Sequence, residues 1–225
     1  VIYLYFILAS ALYLVLVGSF AHISFLYMMS LIGIMLVKRQ QTTMLHLCGG
    51  LLLFKIAEMA ALAIIPTNVS SGSELPHVWL NARNYFIHLI FDVSVLAFLI
   101  LRPALSRHYL RKFVFPPHKT HTDEELTYSH AEAGLIGVMF LYFFVDLAAL
   151  VENFIRNMDY LGVDDSIAQY FWNWALVFHL YAPVKNFLNL FELLIIWLSV
   201  SPKGGKRMPA MKNLPFLLNY SAKSK

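Results

Sequence analysis

The stretch LLLFKIAEMAALAII, residues 51–65, sets one lysine and one glutamate into a helical run that is otherwise apolar. A charged side chain at the centre of a bilayer costs about 2.5–3.5 kcal/mol on insertion scales. In a membrane, Lys55 and Glu58 would therefore have to face protein or water and answer one another. At a spacing of three they are neighbours on one helical face.

Composition places the run in that setting. Of 225 residues, 59% are hydrophobic and 13% charged, and the mean hydropathy is +0.64. A soluble domain carries about a quarter charged residues, so this balance is that of a membrane protein. The 18 Phe and 12 Tyr suit packing against lipid and at its interfaces. The single cysteine, Cys48, excludes an internal disulfide framework and a Cys-built zinc or iron–sulfur centre within one chain. Inside an apolar helix it reads as a small buried side chain. The first residue is Val1, and the apolar run that follows has neither a basic segment before it nor a small-residue cleavage site after it. It reads as a retained span rather than a signal peptide.

A helix needs about 20 apolar residues to cross about 30 Å of hydrocarbon. Residues 1–37 are too long for one span, and VGSFAH (17–22) supplies a turn. The predicted architecture is an all-α bundle of six transmembrane helices, near 2–18, 21–37, 44–65, 82–103, 132–155 and 170–200, arranged as three hairpins. Residues 201–225 form a basic cytoplasmic tail. Segments 38–43, 102–131 and 201–225 hold 13 of the 17 Lys and Arg residues, which puts both termini on the cytoplasmic side. A bacterial inner membrane is the expected location. An echo at an offset of 88 residues lays GGLLLFKIAEMAALA (49–63) over GVMFLYFFVDLAALV (137–151), matching Glu58 to Asp146. It suggests a parallel repeat of the third–fourth and fifth–sixth spans.

The spans carry further polar residues: Asp92 in the fourth, Asp146 in the fifth, Lys185 and Glu192 in the sixth. His88 and Asp92 are four apart, so the fourth span can carry its own imidazole–carboxylate pair. Tyr181, Lys185, Asn189 and Glu192 draw a polar stripe down one side of the sixth, which has to face other helices or water. Four deep carboxylates face two lysines, so two acids remain without a cation and are candidates for proton exchange. Glu58 and Asp146, at equivalent depth in the repeat, are the expected pair.

The sequence thus predicts a protein that moves protons or small cations, alone or as the membrane subunit of a larger complex. Glu58, Asp92, Asp146 and Glu192 would exchange or coordinate, Lys55 and Lys185 would tune them, and His88 would shuttle, with Tyr181 and Asn189 beside the path. A second reading is a non-transporting scaffold that docks cytosolic partners, its buried charges serving only helix register and assembly. A third is an electron-transfer subunit with haem or a metal held by histidines among His22, His46, His88, His130 and His179. A retinal Schiff base on Lys185 ranks below these. No soluble catalytic motif is present, which argues against an enzyme.

RPALSRHYLRKFVFPPHK (102–119) reads as a proline-marked helix exit followed by a basic amphipathic stretch. It and the tail 201–225 suit anionic lipid headgroups. Thr122 and Glu125 have capping-box spacing ahead of the fifth span. NVS at 68–70 has the form of a glycosylation sequon. Topology accounts for the basic charge, so nucleic-acid binding is not indicated, while assembly into a homo- or hetero-oligomer is expected.

Overall fold

Leu, Ile, Phe and Ala dominate the long runs, and these runs fold as helices. The computed structural model describes residues 20–39, 41–65, 77–109, 130–162, 165–173 and 175–200. In chain order the helices are α1 (Phe20–Val37), α2 (Thr42–Ile64), α3 (His77–Tyr109), α4 (His130–Arg156), α5 (Asp165–Asn173) and α6 (Leu176–Val200). A 3-10 turn, Met158–Leu161, follows α4.

Local chemistry sets several boundaries. The turn between α1 and α2 is closed by the Lys38 N–H donating to the Ile34 carbonyl and the Gln41 N–H to the Lys38 carbonyl, each at 2.8 Å. α2 stops at Ile65, which turns extended at φ −87° and ψ 119°. Residue 66 is proline, and the residue before a proline is steered away from helical conformation. Past the 3-10 turn, Gly162 takes φ 77°, a left-handed conformation that glycine adopts without steric cost.

α1 packs on α2, α2 on α3, α3 on α4, α4 on α6, and α6 on α1, which closes a five-helix bundle. The short α5 lies against α4. Cross-contacts give the sense of the helices. His46 on α2 meets Ser106 on α3, while Glu58 further along α2 meets His88 earlier on α3, so the two run antiparallel. The same logic makes α3 and α4 antiparallel, from Val78–Asn153 and Arg102–Glu132.

The polarity is inverted relative to a soluble protein. Buried inside are Glu58, His88, Asp92, Asp146, Lys185 and Glu192, whereas Phe25, Leu36, Leu53, Phe86, Phe144, Phe187 and Trp197 are exposed. Water does not tolerate so extensive an apolar exterior on a monomer, whereas hydrocarbon does. Helices within Thr43–Ile64, Val78–Ser106 and Ala131–Arg156 are long and apolar enough to cross a membrane. α1 is apolar but short, with 18 residues. α6 has 25 residues, and Lys185, Asn186, Asn189 and Glu192 lower its hydropathy.

The polar groups sit between apolar and capped layers. A cluster including Leu31, Leu51, Leu99, Leu135, Val138 and Ile196 fills the bundle on one side of them. Beyond it, near the C-terminal end of α3, lie the Arg102–Glu132 ion pair and the His46–Ser106 hydrogen bond.

Two boundaries differ from those expected. The proline at 103 does not end α3, which continues to Tyr109 and is about 50 Å long at 1.5 Å per residue. Membrane-type helices accept an internal proline when neighbouring groups satisfy the freed carbonyl. The stretch 170–200 is not one helix but the end of α5 followed by α6, with Pro183 inside the latter. The span at 2–18, the sequon at 68–70, residues 110–119, the capping pair Thr122 and Glu125, and the tail 201–225 lie outside the described residues.

Candidate functional site

α2 contributes Lys55 and Glu58 from one face, and the pair forms as the spacing predicts: Lys55 Nζ donates to Glu58 Oε2 at 2.7 Å. The other carboxylate oxygen, Oε1, lies 2.6 Å from His88 Nδ1 on α3. Glu58 thus ties two helices together.

The second centre is built on Lys185. Its ammonium donates to Asp92 Oδ2 on α3 at 2.7 Å, and to Asp146 Oδ1 and Oδ2 on α4 at 2.9 and 3.1 Å. The aromatic face of Tyr142 lies under it, with the ring centroid 4.6 Å away. Tyr181, one turn earlier on α6, donates its hydroxyl hydrogen to Asp146 Oδ1 at 2.9 Å. Its ring also meets that of Tyr85 edge-on at 4.9 Å. Asp146 is 0% exposed and Lys185 2%. Burial to that degree is tolerated by charged groups only when they are paired.

Glu192, two turns along α6 from Lys185, accepts a hydrogen bond from the Tyr27 hydroxyl on α1. Asn189 lies between them and donates to the Lys185 carbonyl at 3.0 Å. A cavity of about 40 Å³ opens among these groups, bordered by Tyr27, Glu58, Asp92, Tyr142, Lys185 and Glu192. All five long helices contribute to its wall. Three carboxyl groups, Glu58, Asp92 and Glu192, share it with the two ammonium groups, while Asp146 and His88 stand behind it, bonded to Lys185 and Glu58. The cluster can release or accept protons without losing every pairing.

At the opposite end of the bundle from Arg102, polar groups close helix ends. Asn153 Nδ2 donates to the Val78 carbonyl at 2.9 Å, and Asn157 Nδ2 to the Asn153 carbonyl at 2.7 Å. The Phe178 N–H, in the first turn of α6, donates to Glu152 Oε1 at 3.4 Å. A carboxylate there complements the partial positive charge of a helix N-terminus. The Arg156 guanidinium lies over the Phe178 ring at 4.5 Å.

The structure brings together Lys55, Glu58, His88, Asp92, Asp146, Tyr181, Lys185, Asn189 and Glu192. It pairs them differently from the sequence expectation in two respects. His88 binds Glu58 rather than Asp92, because Asp92 turns toward Lys185. Asp146, expected with Glu58 to lack a cation, holds Lys185, while Glu58 keeps the Lys55 that helical spacing offers it. Among the described residues Glu192 is the deep acid whose direct hydrogen bond comes from a tyrosine rather than a cation.

Among the described residues the histidines do not converge. His22 and His179 are exposed, His88 is held by Glu58, and His46 by Ser106 at 2.9 Å. Nothing is described of the His130 side chain. Among the described residues no three His, Cys, Asp or Glu side chains gather as metal ligands. A retinal does not fit the space beside Lys185, which is about 40 Å³.

Some participants escaped the sequence reading. Tyr27 sits in a helix with no other strongly polar signal, while Tyr142 stands four residues before Asp146, a same-face spacing that marks it. Arg102, assigned to a headgroup-binding loop, is 1% exposed and paired with Glu132, also 1% exposed.

Among the described residues, fold and site define an all-helical protein with three helices fit to span a membrane, apolar outside and charged within. Compared with known proteins, the chain matches no family model, no curated protein and no solved structure.

Proposed function

We propose that this is an integral membrane protein of six spans that moves protons or small cations through the interior of its helix bundle, alone or as the membrane subunit of a larger complex. The observation that carries the reading is the Lys185 ammonium shared between Asp92 and Asp146, beside a cavity that Glu58 and Glu192 also reach. Glu58, Asp92, Asp146 and Glu192 are the exchanging acids. Lys55 and Lys185 are internal counter-charges that hold the network when no cargo is present. His88 relays a proton to or from Glu58, and Tyr181 and Asn189 orient their neighbours.

The topology that goes with this reading has both termini in the cytoplasm of a bacterial cell, with the basic segments beyond α3 and α6 on anionic headgroups. The echo of Glu58 and Asp146 is read as a parallel repeat. Each of the two acids is met by a lysine, Lys55 and Lys185 respectively.

The test is flux. Purified protein in liposomes should dissipate an imposed pH or cation gradient, and the E58Q/D146N variant should fold yet lose that activity. Equal flux from both proteins overturns the assignment. One observation favours a scaffold instead: both lysines and three of the four acids are already held in ion pairs, Lys185 with Asp92 and Asp146 across helices and Lys55 with Glu58 within α2. On that reading the same variant loses stability or assembly, and no gradient is dissipated by either protein.

A further inference from the structure

We infer that the central cavity is a binding site for a small hydrogen-bonded water cluster, and that the species carried through it is the hydrated proton rather than a metal or organic cation. The inference rests on the transport reading for the second part only.

Three observations carry it. First, Tyr142 is buried and lines the cavity, yet its hydroxyl has no hydrogen-bond partner among the described residues. A buried hydroxyl without a partner forfeits its hydration, so such a group points to something that both accepts and donates. Water does both. Second, the size fits. A cavity of about 40 Å³ admits water molecules but not an organic cation. Third, the positions a metal ion would occupy are filled by ammonium groups. Lys185 Nζ takes three carboxylate oxygens within 3.1 Å, and Lys55 takes one of Glu58. A metal ion in the cavity would meet two positive charges at its walls, whereas water meets donors from Lys185, Lys55 and Tyr142 and acceptors from Glu58, Asp92 and Glu192.

Glu58 and Glu192 both open on this space from different helices, and their hydrogen bonds go to His88 and Tyr27 rather than to each other. The water cluster is the link. A proton leaving a carboxyl group at Glu192 passes to a water lone pair, while that water's own proton passes onward to a carboxylate at Asp92 or Glu58. Charge moves and the oxygens stay in place. Tyr142 is a positioning residue, since its hydroxyl anchors the cluster.

The test uses the full chain and Y142F, which keeps the ring beneath Lys185 and removes only the hydroxyl. Infrared spectra recorded in ordinary and oxygen-18 water identify bound water by its isotope shift. The expected result is an isotope-sensitive O–H band in the unmutated protein that is lost or displaced in Y142F; the absence of any difference overturns the water site. Flux in liposomes is then measured with sodium and potassium replaced by N-methylglucamine. Unchanged proton movement, falling by about tenfold in Y142F as expected for one lost hydrogen bond to a charged network, supports the hydrated proton. Flux that requires sodium or potassium overturns the proton assignment while leaving the acid-based transport reading standing. Failure of all flux with the infrared band intact removes the transport reading and retains the water site.

Discussion

Lys185 Nζ lies 2.7 Å from Asp92 Oδ2 although 93 residues separate them, and the same ammonium reaches Asp146 at 2.9 Å. One side chain on α6 thereby fixes α3 and α4 around it. Removing a single partner from a buried pair of this kind costs about 3–5 kcal/mol, because the remaining charges are left uncompensated. K185M should accordingly lower thermal stability in detergent sharply, as read by the midpoint of aggregation on heating. D92N/D146N added to K185M should restore most of the loss. A K185M protein as stable as the parent would show that the pairing contributes nothing to the fold.

The Tyr27–Glu192 contact is a direct side-chain hydrogen bond between α1 and α6, and both groups are buried. Y27F leaves the carboxyl group without its donor, at a cost of about 1–3 kcal/mol. E192L removes the acceptor and the need for that donor together. A double-mutant cycle should therefore be strongly non-additive, with Y27F costing little once residue 192 is leucine. Additive effects in chemical denaturation would mean that the two side chains do not act as a pair.

Close approach of α2 and α3 depends on Gly50. A Cβ at that position would overlap the ring of Phe98, which in turn tilts against Phe54 at a centroid separation of 5.7 Å. Overpacking of this type costs about 1–3 kcal/mol. G50A should lower stability, and F98L introduced with it should recover part of the loss. No recovery would indicate that the α2 backbone moves instead.

Cys48 is buried and is the chain's single cysteine, so the parent protein should resist membrane-impermeant maleimides. Arg39 and Asp159 are exposed at opposite ends of the bundle. With both termini inside, R39C should react only from the cytoplasmic face and D159C only from the outer one. Labelling of both from one face would reject the proposed orientation.

Much of this protein is legible along the chain because the causes are local. Composition selects hydrocarbon as the solvent, and span lengths follow from the thickness to be crossed. The Lys55–Glu58 pair follows from helical geometry alone, since residues three apart share a face whatever surrounds them. The stripe from Tyr181 to Glu192 is legible for the same reason, as is its inward orientation. Arg102 shows where that logic stops. Its charge reads as surface, and its pairing with the neighbouring Glu132 on α4 helps make its burial tolerable.

What periodicity cannot supply is the identity of the neighbour. A helical face specifies a direction, whereas partner choice depends on which helices are adjacent and at what depth they cross. His88 and Asp92 are well placed to bond each other, yet the packing of α2 and α6 around α3 offers Glu58 to the first and Lys185 to the second. The residues that enter the bundle are thus set by local sequence. Which acid keeps a cation, which leans on a tyrosine, and where space remains for water are set by the closure of five helices around one centre, because only there do distances between side chains remote in sequence become short.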